Sequence, residues 1–231
     1  PKTPREYGAV HYLRGRNGGP AAELVDDMQD QTRIANGKVQ WHHRIVDAHD
    51  LLEQAVTVVE GAATPLNPGI KLDLGATRHH VNGDPARIQQ VFWNLIRNAV
   101  KFTALDGTVT VRTTNLGRDT LRVEIIDTGI GISAETLPKI FDAFEQGDTD
   151  VTKTLGGLGL GLAISKDLAE LHGGTLRAES AGIGEGTTFI FTLPTVERAA
   201  LPSPPIGRSS SDVRSSIMPV EDHATQVPLM A

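Results

Sequence analysis

The chain has 231 residues, of which 39% are apolar and 22% charged, with a formal net charge of −6, a composition that allows one sizeable core with appendages. It contains no cysteine, which excludes disulfides, thiolate metal sites and cysteine nucleophiles. No basic run indicates nucleic-acid or lipid partners, and no segment reaches the ~20 apolar residues of a membrane span, so we expect a cytoplasmic location.

The first part of the chain predicts two helices and a strand between them. Residues 24–35 show helical periodicity that stops near Gly37, and residues 39–46 favour a strand. Asp47 is suited to cap the second helix, with Asp50 three residues later. The apolar side of that helix consists of Leu51, Leu52, Ala55, Val56 and Val59.

The strongest helix signal begins at Asp84-Pro85, after a short strand at residues 70–74. Aspartate is a preferred N-cap residue, and proline fits the first helical turn. An apolar stripe then follows at helical spacing: Ile88, Val91, Phe92, Leu95, Ile96 and Ala99.

The second half of the chain alternates strands with glycine-rich loops. Residues 115–117 suit a hairpin connection, and Ser133 is placed to cap a short helix. Residues 158–171 predict a helix that Gly173-Gly174 ends. Helices on one face of a mixed sheet make the predicted fold α+β, a two-layer α/β sandwich. Four strands are predicted here, at residues 109–114, 121–126, 175–179 and 187–193.

Three polar residues share one face of the helix that begins at Asp84-Pro85. Asn94, Asn98 and Lys101 lie at i, i+4 and i+7, beside the apolar stripe. The amide oxygen of Asn98 is a ligand that Mg²⁺ accepts, and Lys101 offers a point charge to a phosphate. A solvent-exposed polar face without function explains the same pattern.

An aspartate and two glycines follow the strand predicted at residues 121–126. Asp127 can accept a hydrogen bond from an adenine amino group, while Gly129 and Gly131 let the backbone approach the ring. The segment ends at Ile132. A strand-to-helix turn in which the aspartate acts as a cap is the alternative.

A second glycine-rich segment, residues 156–161, runs directly into a helix. Its glycines allow amide N–H groups to turn toward phosphate oxygens, and the helix N-terminus adds the positive end of its dipole. The segment is neither a Walker A loop, since no Lys-Ser or Lys-Thr follows, nor a dinucleotide-binding fingerprint. A glycine-rich hinge is the alternative.

The order and spacing of these motifs resemble the catalytic domain of two-component sensor histidine kinases, within the Bergerat-fold ATPases. The resemblance covers residues 45–195, and a predicted helix with Phe141 and Phe144 is one of the elements that carry it. The matching segments are the N box at 94–101, the G1 box at 127–131, the F box at 141–144 and the G2 box at 157–161.

The resemblance implies an ATP site with Mg²⁺ as its metal. Asn98 would hold Mg²⁺, while Asn94 and Lys101 would contact the metal or the phosphates. Asp127 would bind the adenine, and Thr187 or Thr188 would assist through a water molecule. The implied nucleotide-binding residues are Asp127, Gly129, Gly131, Ile132, Phe144, Gly157, Gly159, Leu160, Gly161, Thr187 and Thr188.

Asn94 distinguishes two kinds of chemistry among these ATPases. Related enzymes that hydrolyse ATP carry glutamate at the matching position to activate water, whereas an amide cannot act as a general base. Phosphoryl transfer depends mainly on positioning and charge neutralisation. Asn94 therefore favours transfer to a protein nucleophile, which in the family is a histidine.

The first 40 residues match the family only in part. Residues 23–28 resemble the second helix of the dimerisation domain, whereas the first helix, with its phosphoacceptor histidine, would lie upstream of Pro1. Gly18, Gly19 and Pro20 interrupt that second helix, so a homodimer would be weakened.

The histidines of the chain offer no clear substitute for that phosphoacceptor. His49-Asp50 comes nearest, but it lacks the basic residue and proline that follow in the family. His49 is therefore interpreted as a surface residue, and so are two histidine pairs that lack acidic partners at metal-ligand spacing, His42-His43 and His79-His80.

The C-terminal part divides into a Pro/Ser-rich linker and a short tail. Residues 217–223 resemble the first strand and acidic pair of a receiver domain, which would make the parent protein a hybrid kinase; a disordered tail is the alternative. The predicted domains are a partial dimerisation domain at 1–40, the catalytic ATP-binding domain at 41–196, the linker at 197–216 and a truncated receiver domain at 217–231.

The leading functional hypothesis is a Mg-ATP-dependent protein histidine kinase. Its phosphate would pass to the histidine of a dimerisation domain and then to an aspartate of a response-regulator receiver domain. One alternative is a pseudokinase or truncated fragment that binds nucleotide but transfers nothing. Another is a serine kinase of the anti-sigma-factor type, which the match to the second helix and the receiver-like tail disfavour.

Overall fold

The computed structural model describes residues 41–61, 68–145 and 159–197, so the predicted dimerisation segment at 1–40 and residues 198–231 lie outside it. Within these ranges no helix is both long and apolar enough to cross a membrane. The elements are β1 (Arg44–Asp47), α1 (Ala48–Gly61), β2 (Gly69–Leu74), β3 (His80–Gly83), α2 (Pro85–Lys101), β4 (Thr108–Leu116), β5 (Thr120–Asp127), a 3₁₀ turn (Leu137–Lys139), α3 (Gly161–Leu171), β6 (Thr175–Glu179) and β7 (Thr187–Pro194).

Five strands form one mixed sheet in the order β2-β4-β5-β7-β6, in which β2 is parallel to β4 and the other neighbours are antiparallel. β1 and β3 pair separately as a two-stranded antiparallel ribbon. The helices pack on one face of the five-stranded sheet. This arrangement confirms the predicted α+β sandwich.

The core lies between that face and the helices. Every second residue of β5 points inward, so that Leu121, Val123 and Ile125 are fully buried. From α2, Phe92 meets Phe191 of β7 edge to face, with ring centroids 5.7 Å apart. Burying such side chains contributes about 1.5–3 kcal/mol each.

Helix α2 begins where its sequence predicts. Asp84 Oδ1 accepts hydrogen bonds from the backbone N–H groups of Ala86 and Arg87, at 3.0 and 3.4 Å. Pro85 occupies the first turn, where its missing N–H costs nothing. The predicted apolar stripe is buried along its whole length.

Several predicted elements differ in extent from the structure, and one strand was missed. β1 begins only at Arg44, and residues 41–43 have no regular structure. The short strand β3 was not predicted, because a four-residue strand with mixed burial gives little periodicity. Asn115 and Leu116 belong to β4 rather than to the hairpin loop, since the reversal occurs at Gly117, whose φ is +64°.

The predicted helix carrying Phe141 and Phe144 is wrong. Only a 3₁₀ turn at Leu137–Lys139 precedes these residues, which lie in successive turns. Phe144 has a φ of +67°, a left-handed conformation that cannot continue a right-handed helix.

Candidate functional site

Asp127 is a carboxylate in a core position. It is the next inward-facing residue of β5 after Ile125, and only 6% of its surface is exposed. Its Oδ1 accepts hydrogen bonds from the backbone N–H groups of Gly129, at 2.8 Å, and of Thr187, at 3.2 Å. Burial raises the pKa of Asp127, and these two amides oppose the rise. Among the described residues, none donates to Oδ2.

Glycines allow the backbone to close tightly around this carboxylate. A Cβ on Gly186, whose φ is +70°, would collide with the carbonyl oxygen of Asp127. A Cβ on Gly131, whose φ is +66°, would collide with the carbonyl oxygen of Gly182, and one on Gly129 with that of Phe102. Gly131 and Gly186 therefore require glycine for both conformation and space, whereas Gly129 requires it for space alone.

Hydrogen bonds hold the loop after Asp127 on two sides. Ile130 N–H donates to the Phe102 carbonyl at the end of α2, at 3.0 Å. Ile132 N–H donates to Ser180 Oγ at 3.0 Å, and Ser180 Oγ in turn donates to the Gly186 carbonyl at 2.6 Å. Ser180 was missed in the sequence, where a lone serine after a strand gives no signal.

The polar face of α2 carries the three predicted side chains in different environments. Asn94 is buried, and its Nδ2 donates to the Gly161 carbonyl and to Ser165 Oγ, both at 3.2 Å. Asn98 is half-buried, and its side-chain amide forms no hydrogen bond with another described residue. Lys101 is half-buried beside the Phe102 ring, with Nζ 4.9 Å from the centroid.

Two of these environments carry chemical consequences. Burial and the neighbouring charge of Arg97 lower the pKa of Lys101. The Asn94 amide nitrogen is engaged by the first turn of α3, so its contact with metal or phosphate stays a prediction. Ser165, one turn after Gly161, was not predicted as part of this link.

The described part of the second glycine-rich segment begins at Gly159. Its carbonyl accepts a hydrogen bond from Phe144 N–H at 3.2 Å, while the Phe144 side chain is 63% exposed. Gly159 has a φ of +70°, Leu160 is fully buried, and Gly161 starts α3. Gly157 lies outside the described residues.

The structure brings the predicted residues to the two ends of one helical segment. The eight residue-to-residue steps from Asn94 to Phe102 span about 12 Å, with the start of α3 at one end and the Asp127 loop at the other. Asn98 lies between them. Thr187 is directly opposite Asp127 in the sheet and is buried, while Thr188 is half-buried.

These residues fit a purine nucleotide and its metal. A buried carboxylate with one oxygen still available can accept a hydrogen bond from an exocyclic amine. Glycine backbone beside it leaves room for a flat ring. The Asn98 amide oxygen is a neutral, hard ligand of the kind that Mg²⁺ accepts.

Comparisons with known proteins show which family the chain resembles. Residues 83–197 match the family described as histidine kinase-, DNA gyrase B-, and HSP90-like ATPase. The chain is 39% identical over 176 residues to the non-motile and phage-resistance protein of Caulobacter vibrioides, covering 74% of this chain and 20% of that protein. It is 36% identical to the circadian input-output histidine kinase CikA of Synechococcus elongatus, covering 82% and 25%.

Solved structures show the same fold. Full-length ShkA in complex with AMPPNP is similar with a TM-score of 0.68 and 27% identity, covering 87% of this chain and 41% of that one. The mycobacterial sensor histidine kinase MprB has a TM-score of 0.59 and 26% identity, covering 67% and 100%.

The chain spans 20% to 35% of the length of the first four curated relatives it matches. Those relatives include sensor proteins and histidine kinases. The matched segment runs from the start of α2 to the end of β7 and so contains the whole site described above. The chain therefore belongs to the histidine kinase-, DNA gyrase B-, and HSP90-like ATPase family and carries the ATP-binding catalytic domain of sensor histidine kinases.

Proposed function

We propose that this chain transfers the γ-phosphoryl group of ATP to a histidine on a separate dimerisation domain, for relay to an aspartate of a receiver domain. The observation that carries the proposal is the buried Asp127 carboxylate. Oδ1 serves the backbone of Gly129 and Thr187, which leaves Oδ2 for the adenine amino group. The AMPPNP bound to the similar ShkA is an ATP analogue and supports this assignment.

Each end of the polar face has a role in this proposal. Asn98 would hold Mg²⁺, which supplies charge neutralisation at the phosphates. Lys101 would contact the phosphates, because its ammonium is a compact point charge on a flexible stem. Asn94 would hold the first turn of α3 in place through Gly161 and Ser165.

The proposed chemistry balances without a general base on the chain. The bond between the γ-phosphorus and the β,γ-bridging oxygen breaks, a nitrogen–phosphorus bond forms to the imidazole, ADP leaves and the imidazole proton goes to solvent. Asn94 has no basic atom to activate water. The site therefore suits transfer to a supplied nucleophile better than hydrolysis.

A nucleotide-binding chain that transfers nothing by itself is the second candidate. Two of the described histidines are engaged in contacts within the fold, which disfavours them as phosphoacceptors. His172 is buried and hydrogen-bonded through both ring nitrogens. His49, interpreted from sequence as a surface residue, is half-buried with Nε2 2.9 Å from Thr113 Oγ1.

The test is a phosphotransfer assay with γ-labelled ATP. We expect no acid-labile, alkali-stable label on the purified chain, and such label on an added dimerisation domain that carries the phosphoacceptor histidine. The matched control is the same domain with that histidine replaced by glutamine. Label on the isolated chain, or none on the added domain while ATP is bound, would contradict the proposal.

A further inference from the structure

A group of metal-ligating side chains lies away from the nucleotide site, where β1 meets α1. Asp47 ends β1, His80 starts β3, and His79 directly precedes it. One ligand atom from each of the three residues lies within 4.8 Å of the others. The sequence shows no acidic partner for His79 and His80 at metal-ligand spacing, and the interpretation of both as surface residues missed Asp47, which comes from a distant part of the chain.

The backbone holds these three residues in place. Asp47 and His80 are directly opposite in the antiparallel β1–β3 pair, a position that brings their Cβ atoms to about 4.5–5.5 Å. The His79 carbonyl accepts a hydrogen bond from Ala48 N–H at 2.9 Å. The cluster therefore does not depend on long, flexible side chains meeting by chance.

The side chains are also orientated. His79 Nδ1 lies 2.7 Å from Asp47 Oδ1, and His80 Nε2 lies 3.8 Å from Asp47 Oδ2. The His49 ring stacks on His79, with centroids 4.1 Å apart and planes 7° apart. All three candidate ligands are half-buried, so an ion can reach them from solvent.

The donor set decides which ion fits. Two imidazole nitrogens and one carboxylate oxygen form a three-ligand zinc site that leaves a fourth position for water. Mg²⁺ prefers oxygen ligands and is a poor match. We propose that Asp47, His79 and His80 bind a divalent transition-metal ion, with Zn²⁺ as the best match.

This site is separate from the proposed adenine position at Asp127. His49 contacts Thr113 in β4, four residues along that strand from Val109, which lies opposite Asp127. Four residues of strand span about 13 Å. A metal at this site would cross-link the β1–α1 junction to the start of β3 and stabilise the folded chain by mass action.

The test uses the 231-residue chain without nucleotide and Zn²⁺ as the probe. Titration calorimetry and thermal unfolding are measured for the wild type, His79→Gln, His80→Gln and the exposed control His42→Gln. We expect saturable binding of one Zn²⁺ and a higher melting temperature with Zn²⁺ in the wild type and in the control. Each of the two ligand variants should bind more than about tenfold more weakly and lose the thermal shift.

Two results would overturn the proposal. One is the absence of saturable Zn²⁺ binding by the wild type. The other is wild-type affinity in both His79→Gln and His80→Gln. Circular dichroism checks that each variant is folded. If His79→Gln does not fold, the result for His80→Gln decides. His80 lies 3.8 Å from Asp47, so its replacement should disturb the fold less. Asp47 itself is not substituted, since it also accepts a hydrogen bond from the His49 N–H group at the start of α1, and its loss would affect that helix.

Discussion

Asp127 occupies a position that strand alternation would otherwise give to an apolar residue. Leu121, Val123 and Ile125 precede it on the same face of β5. Burying a carboxylate is costly unless donors compensate, and two backbone N–H groups do so only for Oδ1. A ligand that supplies a further donor therefore gains affinity here, which is the physical basis for placing adenine at this residue.

Alanine substitutions at two glycines with nearly the same φ distinguish the cost of backbone strain from the cost of a steric clash. Gly186 has a φ of +70°, and a Cβ there would collide with the Asp127 carbonyl, whereas Gly117 has a φ of +64° and a Cβ there would meet open space. Replacing either by alanine costs about 1–2 kcal/mol of stability for the left-handed conformation. Gly186→Ala should cost more and also weaken ATP binding, because its Cβ would displace Asp127.

Urea unfolding and ATP titration calorimetry on both variants test this expectation. Gly117→Ala serves as the matched control, and we expect its ATP affinity to equal that of the wild type. Equal losses of stability in the two variants, with ATP binding intact in both, would show that the backbone around Asp127 yields to a methyl group.

Sequence alone predicts the residues of this site whose partners are local. Asp127, Gly129 and Gly131 lie within a few positions of one another, so their pattern is visible. Ser180, Ser165 and the Asp47 cluster act through partners that the fold brings together from elsewhere in the chain. Spacing along the sequence carries no trace of such contacts.

At the scale of elements, α3 is joined to α2 at both of its ends. Asn94 contacts the first turn of α3. At the other end, His172 Nδ1 donates to the Leu168 carbonyl at 2.7 Å, and its Nε2 accepts the Asp84 N–H at 3.1 Å. This pair of hydrogen bonds requires the neutral ring with its proton on Nδ1, and burial lowers the pKa of His172.

The lowered pKa predicts how stability depends on pH. The contribution of the neutral ring is fully present above the unfolded pKa of about 6.5. It is lost as the pH falls from that value toward the lower folded pKa, because the unfolded chain then binds the proton more readily. Wild-type protein should therefore lose more stability than His172→Gln between pH 7.5 and pH 5.5, in urea unfolding.

His49, whose pKa is also lowered by burial, is present in both proteins and so cancels in this comparison. Parallel stability profiles for the wild type and His172→Gln would mean that the His172 ring is protonated in the folded chain or does not hold α3 to α2.

Among the elements, α2 was the easiest to predict and the phenylalanine segment the hardest. α2 has an N-cap, a first-turn proline and an apolar stripe that agree with one another. The segment around Phe144 has helical composition, but its backbone is fixed by a hydrogen bond to Gly159, and a tertiary contact of this kind overrides local propensity.

For the whole molecule, we propose that ATP binding and phosphate acceptance lie on different domains. Residues 83–197 match the ATPase family, and the bounds of the catalytic domain at 41–196 are a proposal. The dimerisation segment at 1–40, the linker and the receiver-like tail at 217–231 remain proposals, which fit the similarity to relatives several times longer than this chain.

The most direct measurement is titration calorimetry of ATP and of GTP, in Mg²⁺, into the wild type and Asp127→Asn. Asparagine keeps an acceptor for Gly129 and Thr187, so the variant should unfold at nearly the wild-type temperature. Adenine carries an amino group where guanine carries a carbonyl, so the wild type should prefer ATP. Asp127→Asn should lose about 2 kcal/mol of ATP-binding free energy, roughly 30-fold in affinity, and should lose the preference for ATP over GTP. Equal ATP affinity in the two proteins would contradict the assignment of the site.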